Sequence, residues 1–129
     1  MIRTRYSETD RMGYVYYGNY AQYYEISRVE LLRELGISYL KLEDIGILMP
    51  VIAMQVDFLK PAYYDQEISI LCTVNEMPTS RMKFDYQIRN EQGILINEGT
   101  TTLVFINSSS GKPMRCPKIL IELLQPYFS

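Results

Sequence analysis

There is no histidine among the 129 residues. That absence excludes histidine-activated serine or cysteine nucleophiles, a histidine general base and histidine-ligated zinc. Acid–base chemistry near neutral pH therefore falls to a carboxylate, a lysine, a tyrosine or a cysteine. Cysteine is scarce too. Cys72 and Cys116 stand far apart and match no metal-binding spacing, which suits a reducing, cytoplasmic setting. Long apolar runs are missing, each candidate being broken by charge or proline, so membrane insertion is not expected. The opening Met1-Ile2-Arg3-Thr4-Arg5 lacks an apolar leader, so export is not expected either. Excess positive charge is also missing. A formal net charge of −2 gives no electrostatic reason to expect nucleic acid.

What is present is an ordinary soluble composition, 47% hydrophobic and 22% charged. A chain of 129 residues forms one domain, 1–129, able to bury a core without staples. Residues 2 to 7 suit a short strand and Ser7 to Gly13 a loop. From Asn19 to Leu35 the period is helical, with Asn19 as N-cap and Gly36 as stop. Tyr20, Tyr24, Leu31 and Leu35 share one face, flanked by Tyr23 and Ser27. Gln22, Ile26, Glu30 and Arg33 lie opposite. Arg28 intrudes on the apolar side and reads as a snorkelling stem at the helix edge. A shorter helix runs from Ser38 to Ile45 and ends at Gly46.

The period then changes to two. Ile52, Met54, Val56 and Phe58 alternate, as do Ile68, Ile70, Cys72 and Val74. Met82, Phe84, Tyr86 and Ile88 alternate against Arg81, Lys83, Asp85, Gln87 and Arg89. Asn90 to Gly93 is a hairpin turn into a strand from Ile94 to Asn107. Ser108 to Gly111 is a loop, and Ile119 to Tyr127 a short closing helix or tail. Consecutive strands with short connections imply an antiparallel sheet, and the long helix is apolar enough to be wrapped by it. The fold class is α+β.

Chemistry concentrates before the long helix. Asp10 lies just upstream of Met12-Gly13, and Tyr16-Tyr17-Gly18-Asn19-Tyr20 leads into the helix. Backbone N–H groups at a helix start lack internal partners and carry partial positive charge. A carbonyl placed there is polarised, and losing one such donor typically costs about 10²–10³ in rate. Gly13 and Gly18 permit close backbone approach. A carboxylate beside that start suits acyl transfer, as nucleophile or as base for water. The plainer alternative is that Asp10 caps a turn and the tyrosines are core.

The stretch ETDRMGYVYYGNYAQYYE resembles the signature of the 4-hydroxybenzoyl-CoA thioesterase-like hotdog family, in which T-D-x-x-G-x-V-Y leads into a long central helix. VDFLKPAYYDQ and the tail GKPMRCP continue the resemblance, so nearly the whole chain is covered. The resemblance implies an antiparallel sheet wrapped around one long helix, a homodimer or dimer of dimers, and hydrolysis of acyl-CoA thioesters at the subunit interface. It implies no metal or redox cofactor. Asp10 matches the catalytic aspartate, and Tyr17 the position whose backbone N–H polarises the thioester carbonyl, with Gly18 beside it. Many members carry histidine where Tyr17 stands, so any histidine-assisted step is lost here. Met12, Gly13 and Tyr16 are the accompanying substrate-binding residues. Arg81 and Lys83, with Lys112 and Arg115, are candidates for the phosphates of coenzyme A, although a solvated strand face also explains the first pair. Glu25 is a weaker catalytic candidate, more simply a solvated helix glutamate. Tyr63 and Tyr64 line the pocket or fill a turn. Cys72 reads as an inert buried thiol. Hotdog dehydratases need a histidine and are disfavoured. A non-catalytic acyl-CoA or acyl-carrier-protein binder is the alternative function.

Overall fold

The computed structural model describes residues 2–3, 19–62 and 66–128. The expected loop at 7–13, Tyr63 and Tyr64 fall outside them, as do Asp10, Met12, Gly13, Tyr16, Tyr17 and Gly18. The architecture is the expected α+β hotdog: an antiparallel sheet against one long helix. Strand β1 (Ile2–Arg3) is followed by helix α1 (Tyr20–Leu35) and helix α2 (Tyr39–Asp44). Strands β2 (Ile47–Leu48), β3 (Val51–Phe58), β4 (Glu67–Thr73), β5 (Arg81–Arg89), β6 (Leu95–Asn107) and β7 (Pro113–Met114) come next. Helix α3 (Lys118–Leu124) and a 3-10 turn (Gln125–Tyr127) close the chain.

The sheet runs β1-β4-β5-β6. The long strand β6 accepts β3 from Asn97 to Leu103 and β2 at Ile106 and Asn107. Consecutive strands are usually neighbours, but β3 pairs with β6 and not with β4. Just past β3, the Leu59 and Lys60 N–H groups both donate to the Ile96 carbonyl, at 3.0 and 2.9 Å.

The helix boundaries follow local chemistry. At the stop, Gly36 takes a left-handed conformation, φ 103°, that a side chain would strain, and its N–H donates to the Arg33 carbonyl. Ser38 caps α2, accepting from the Lys41 N–H at 3.1 Å. At the start of α1 the expectation changes. Asn19 occupies the N-cap position, but its backbone is already helical (φ −76°, ψ −15°) and its side chain makes no capping bond.

The inner face of the sheet and one side of α1 form the core. Met82, Phe84, Tyr86 and Ile88 are fully buried, as their alternation predicts. Tyr20, Tyr23, Tyr24 and Leu32 face them from α1. Arg28 does not snorkel at the helix edge: it is only 7% exposed. Tyr20, Tyr24, Arg28 and Leu32 recur every four residues, so the arginine is the third member of the buried stripe. The β3 alternation holds as a strand, yet Ile52, Met54 and Phe58 are 48%, 50% and 54% exposed. Met54 and Phe58 pair with Thr101 and Asn97 on the inner face, and Phe58 meets Tyr20 of α1, but the strand is covered only in part.

Candidate active site

Tyrosines build the region where α1 begins. Tyr20 meets Phe58 edge-on, with ring centroids 5.4 Å apart, and Tyr23 at 5.7 Å. One turn on, the Tyr24 ring lies parallel on Tyr86 at 4.1 Å. The Tyr24 hydroxyl donates to Asn97 Oδ1 on β6, which orients the amide and turns Nδ2 the other way. That Nδ2 is buried with no hydrogen-bond partner among the described residues. Gly99 makes this contact possible, because a Cβ there would sit 2.6 Å from the Tyr24 hydroxyl oxygen. Tyr86 and Thr101 share a hydroxyl bond of 2.6 Å. Burial pushes the Tyr86 phenol up to about 12 and raises those of Tyr20 and Tyr24. All three are neutral at physiological pH and act as walls and hydrogen-bond donors.

The start of α1 has a second property. Its first turn holds no acidic side chain, and Asn19 leaves the first N–H groups uncapped by its own. The positive end of the helix is therefore not neutralised by its own residues.

Further along α1, the Arg28 Nε–H donates to the Tyr39 hydroxyl at 3.1 Å. Burial opposes the arginine's charge, but the Tyr39 and Tyr86 oxygens beside it outweigh that, and its pKa is raised. Glu25 is exposed and lines the same cavity as Arg28 and Tyr39. Cys72 is half-buried, and burial pushes its thiol up to about 12, which makes it inert as expected.

Arg81 and Lys83 are exposed on the outer face of β5. They line a cavity of about 360 Å³ together with Glu76, Met77, Thr79, Ser80 and Thr102. The Cys116 N–H donates to the Thr79 carbonyl at 2.6 Å, which pins the GKPMRCP tail, with Arg115, to the loop leading into Arg81. The structure thus brings together basic residues more than thirty positions apart. The other end of this outer face is acidic, with Asp57, Asp85 and Glu98 around one groove. Among the described residues no cluster of cysteine, aspartate and glutamate is placed to hold a metal ion. No described helix is long and apolar enough to cross a membrane.

Sequence reasoning placed Arg28 on the wrong side of a boundary and did not single out Asn97 or Gly99. The four-residue stripe was a usable signal for Arg28. Nothing local marks Asn97, because its role depends on which helix residue faces β6.

Comparison with known proteins agrees with this geometry. Residues 12–97 match the family described as the thioesterase superfamily. A solved Staphylococcus aureus DHNA-CoA thioesterase is 35% identical, with a TM-score of 0.85 over 98% of this chain and 80% of that one. A Bacillus subtilis relative that carries the provisional name of acyl-CoA thioesterase is 31% identical over 117 residues, covering 91% of this chain and 85% of its own. An acyl-CoA thioesterase of Haemophilus influenzae is 24% identical, over 91% of this chain and 86% of its own. With the helix, the wrapped sheet and the sequence match in agreement, the chain belongs to the thioesterase superfamily and is a hotdog-fold enzyme of that family.

Proposed function

We propose that this chain hydrolyses acyl-CoA thioesters, with Asp10 as nucleophile or general base and the backbone N–H groups of Tyr17 and Gly18 polarising the carbonyl. The observation that carries the reading is the start of α1, which is uncapped by Asn19, free of acid in its first turn and walled by Tyr20, Tyr23 and Phe58. The field of such a helix end stabilises the oxyanion that forms when the carbonyl carbon is attacked. The carbon–sulfur bond breaks, coenzyme A leaves as a thiolate that takes up a proton, and water supplies the second oxygen of the free acid. Asp10 supports the attack directly, through an anhydride that water then opens, or by taking the proton from water. Asp10 lies two positions ahead of the matched stretch, while Tyr17 and Gly18 fall within it.

Arg81 and Lys83 outnumber Glu76 around their cavity and suit the phosphates of coenzyme A, since charge-assisted bonds to phosphate oxygens are strong. The acidic end of the same face repels them. Two copies assemble in this reading. Among the described residues β3 pairs only with β6, which leaves its other edge open, and its exposed Ile52, Met54 and Phe58 add apolar surface suited to a second copy. Two further relatives, from Thermosynechococcus vestitus and Crocosphaera subtropica, bear the name 1,4-dihydroxy-2-naphthoyl-CoA hydrolase, and aromatic walls suit flat acyl groups here as well.

The test is thiol release from a panel of aromatic, short, branched and long acyl-CoAs, comparing wild type with Asp10→Ala. At least one substrate should turn over, and the variant should lose 10²-fold or more, roughly what an activating group supplies, while remaining folded. Equal turnover by the variant assigns Asp10 to a turn. Saturable binding without any turnover points to the non-catalytic binder.

A further inference from the structure

Arg28 is a buried cation whose counter-charge is not supplied by the described part of the chain. The ion pairs among described residues join Arg3 to Glu67, Arg33 to Glu30 and Lys118 to Glu122, and none includes Arg28. Its described partners are neutral hydroxyls, that of Tyr39 at 3.1 Å and that of Tyr86. Yet the side chain is not sealed in. It lines a cavity of about 250 Å³ together with Tyr39, Leu42, Ile47 and Met49. Two carboxylates, Glu25 and Glu43, also line the cavity, but both residues are exposed whereas Arg28 is buried. Solvent screens exposed charges far more than a buried one.

A guanidinium presents five N–H donors in a planar fork. The Tyr39 and Tyr86 oxygens together occupy only part of that fork. A carboxylate fits the remainder in geometry and in charge, whereas a phenol or alcohol leaves the cation unneutralised. At about 30 Å³ for each water-sized group, the cavity has room for roughly eight such groups, enough for a short aliphatic arm ending in a carboxylate.

We propose that this cavity takes an acyl group bearing a distal carboxylate, which Arg28 binds through its free N–H donors while Tyr39 holds the guanidinium in place. The inference rests on the thioesterase reading for its substrate, but the binding chemistry belongs to Arg28 alone. Arg28 is then a specificity residue for dicarboxylic acyl groups.

The experiment compares adipyl-CoA with hexanoyl-CoA, which differ by the terminal carboxylate, and 4-hydroxybenzoyl-CoA with benzoyl-CoA. Wild type should favour adipyl over hexanoyl in kcat/KM by roughly 10- to 100-fold, the usual worth of hydrogen bonds to charged groups. Arg28→Met should abolish that ratio, whatever it does to overall turnover. If Arg28→Met does not fold, Arg28→Lys, which keeps charge but loses the fork, and Tyr39→Phe should each lower the ratio at least threefold. An unchanged ratio in the folded variants overturns the proposal. So does an Arg28-dependent preference for 4-hydroxybenzoyl-CoA with none for adipyl-CoA. A second readout separates this inference from the one beneath it: titration of wild type with free adipate, followed by NMR shifts at α1 and α2. Adipate binding that Arg28→Met removes, without hydrolysis of any acyl-CoA, sustains the cavity and sinks the thioesterase mechanism. Hydrolysis with neither adipate binding nor carboxylate preference sinks only the present proposal.

Discussion

Replacing Gly99 with alanine tests the inner face of the sheet at its tightest point. Gly99 lies on β6 opposite Val56 on β3 and Tyr86 on β5. An added Cβ would overlap the Gln55 carbonyl oxygen and sit 2.6 Å from the Tyr24 hydroxyl. The first contact is with backbone, so no rotamer change relieves it. The second is with a ring stacked at 4.1 Å on Tyr86, so Tyr24 has little room to retreat. Both contacts must be relieved, so β3 shifts away from β6 and Tyr24 leaves Asn97. Overpacking of this kind costs about 1–3 kcal/mol. Stranding the buried Asn97 amide costs about another 1–3 kcal/mol. The sum, about 2–6 kcal/mol, is a large share of the 5–15 kcal/mol that typically holds a domain together.

For a chain of this length, at about 3–5 °C per kcal/mol, that corresponds to a fall in Tm of roughly 6–30 °C. Differential scanning calorimetry reads it, with urea unfolding as an independent measure. A double-mutant cycle sharpens the result. In a Tyr24→Phe background the hydroxyl clash is gone, so Gly99→Ala should cost about 1 kcal/mol less there than in wild type. A Tm drop below about 3 °C, at the scale of ordinary surface substitutions, or strict additivity in the cycle, would refute the assigned packing.

Alkali should unfold the protein through its thiols and phenols. The Cys72, Cys116 and Tyr86 groups are each held at about 12 by burial, above their ordinary values of 9.0 and 10.0. Their neutral forms are favoured by folding, so this stability is complete below about pH 9 and is lost as pH rises towards 12. Urea midpoints from pH 7 to 11 should fall across that window, and less steeply in a Cys72→Ala/Cys116→Ala variant; a flat profile contradicts the assignment. The open edge of β3 makes a separate prediction. Met54→Lys should shift sedimentation from dimer to monomer while changing monomer stability by only about 0.5 kcal/mol, because Met54 is 50% exposed in the single chain. A wild-type monomer, or a variant that still dimerises, removes β3 as the interface.

The sequence by itself determined the elements and the family. Period-two alternation from Met82 to Ile88 and the helical run ending at Gly36 are local signals, set by side-chain direction and by the one residue that tolerates a left-handed turn. The pattern around Asp10, Tyr17 and Gly18 carried the thioesterase resemblance, which the match over residues 12–97 bears out at the level of the family. What only the tertiary structure decided is which surfaces meet. Alternation in β3 looked like core, but whether a strand face is covered depends on its distance from the helix, and β3 stands at the edge. Arg28 looked peripheral because charge is usually solvated, and its burial is favourable only where Tyr39 and Tyr86 converge from α2 and β5. Asn97 and Gly99 gain their roles from Tyr24, more than seventy residues away, and such a contact exists only once the sheet has closed on the helix.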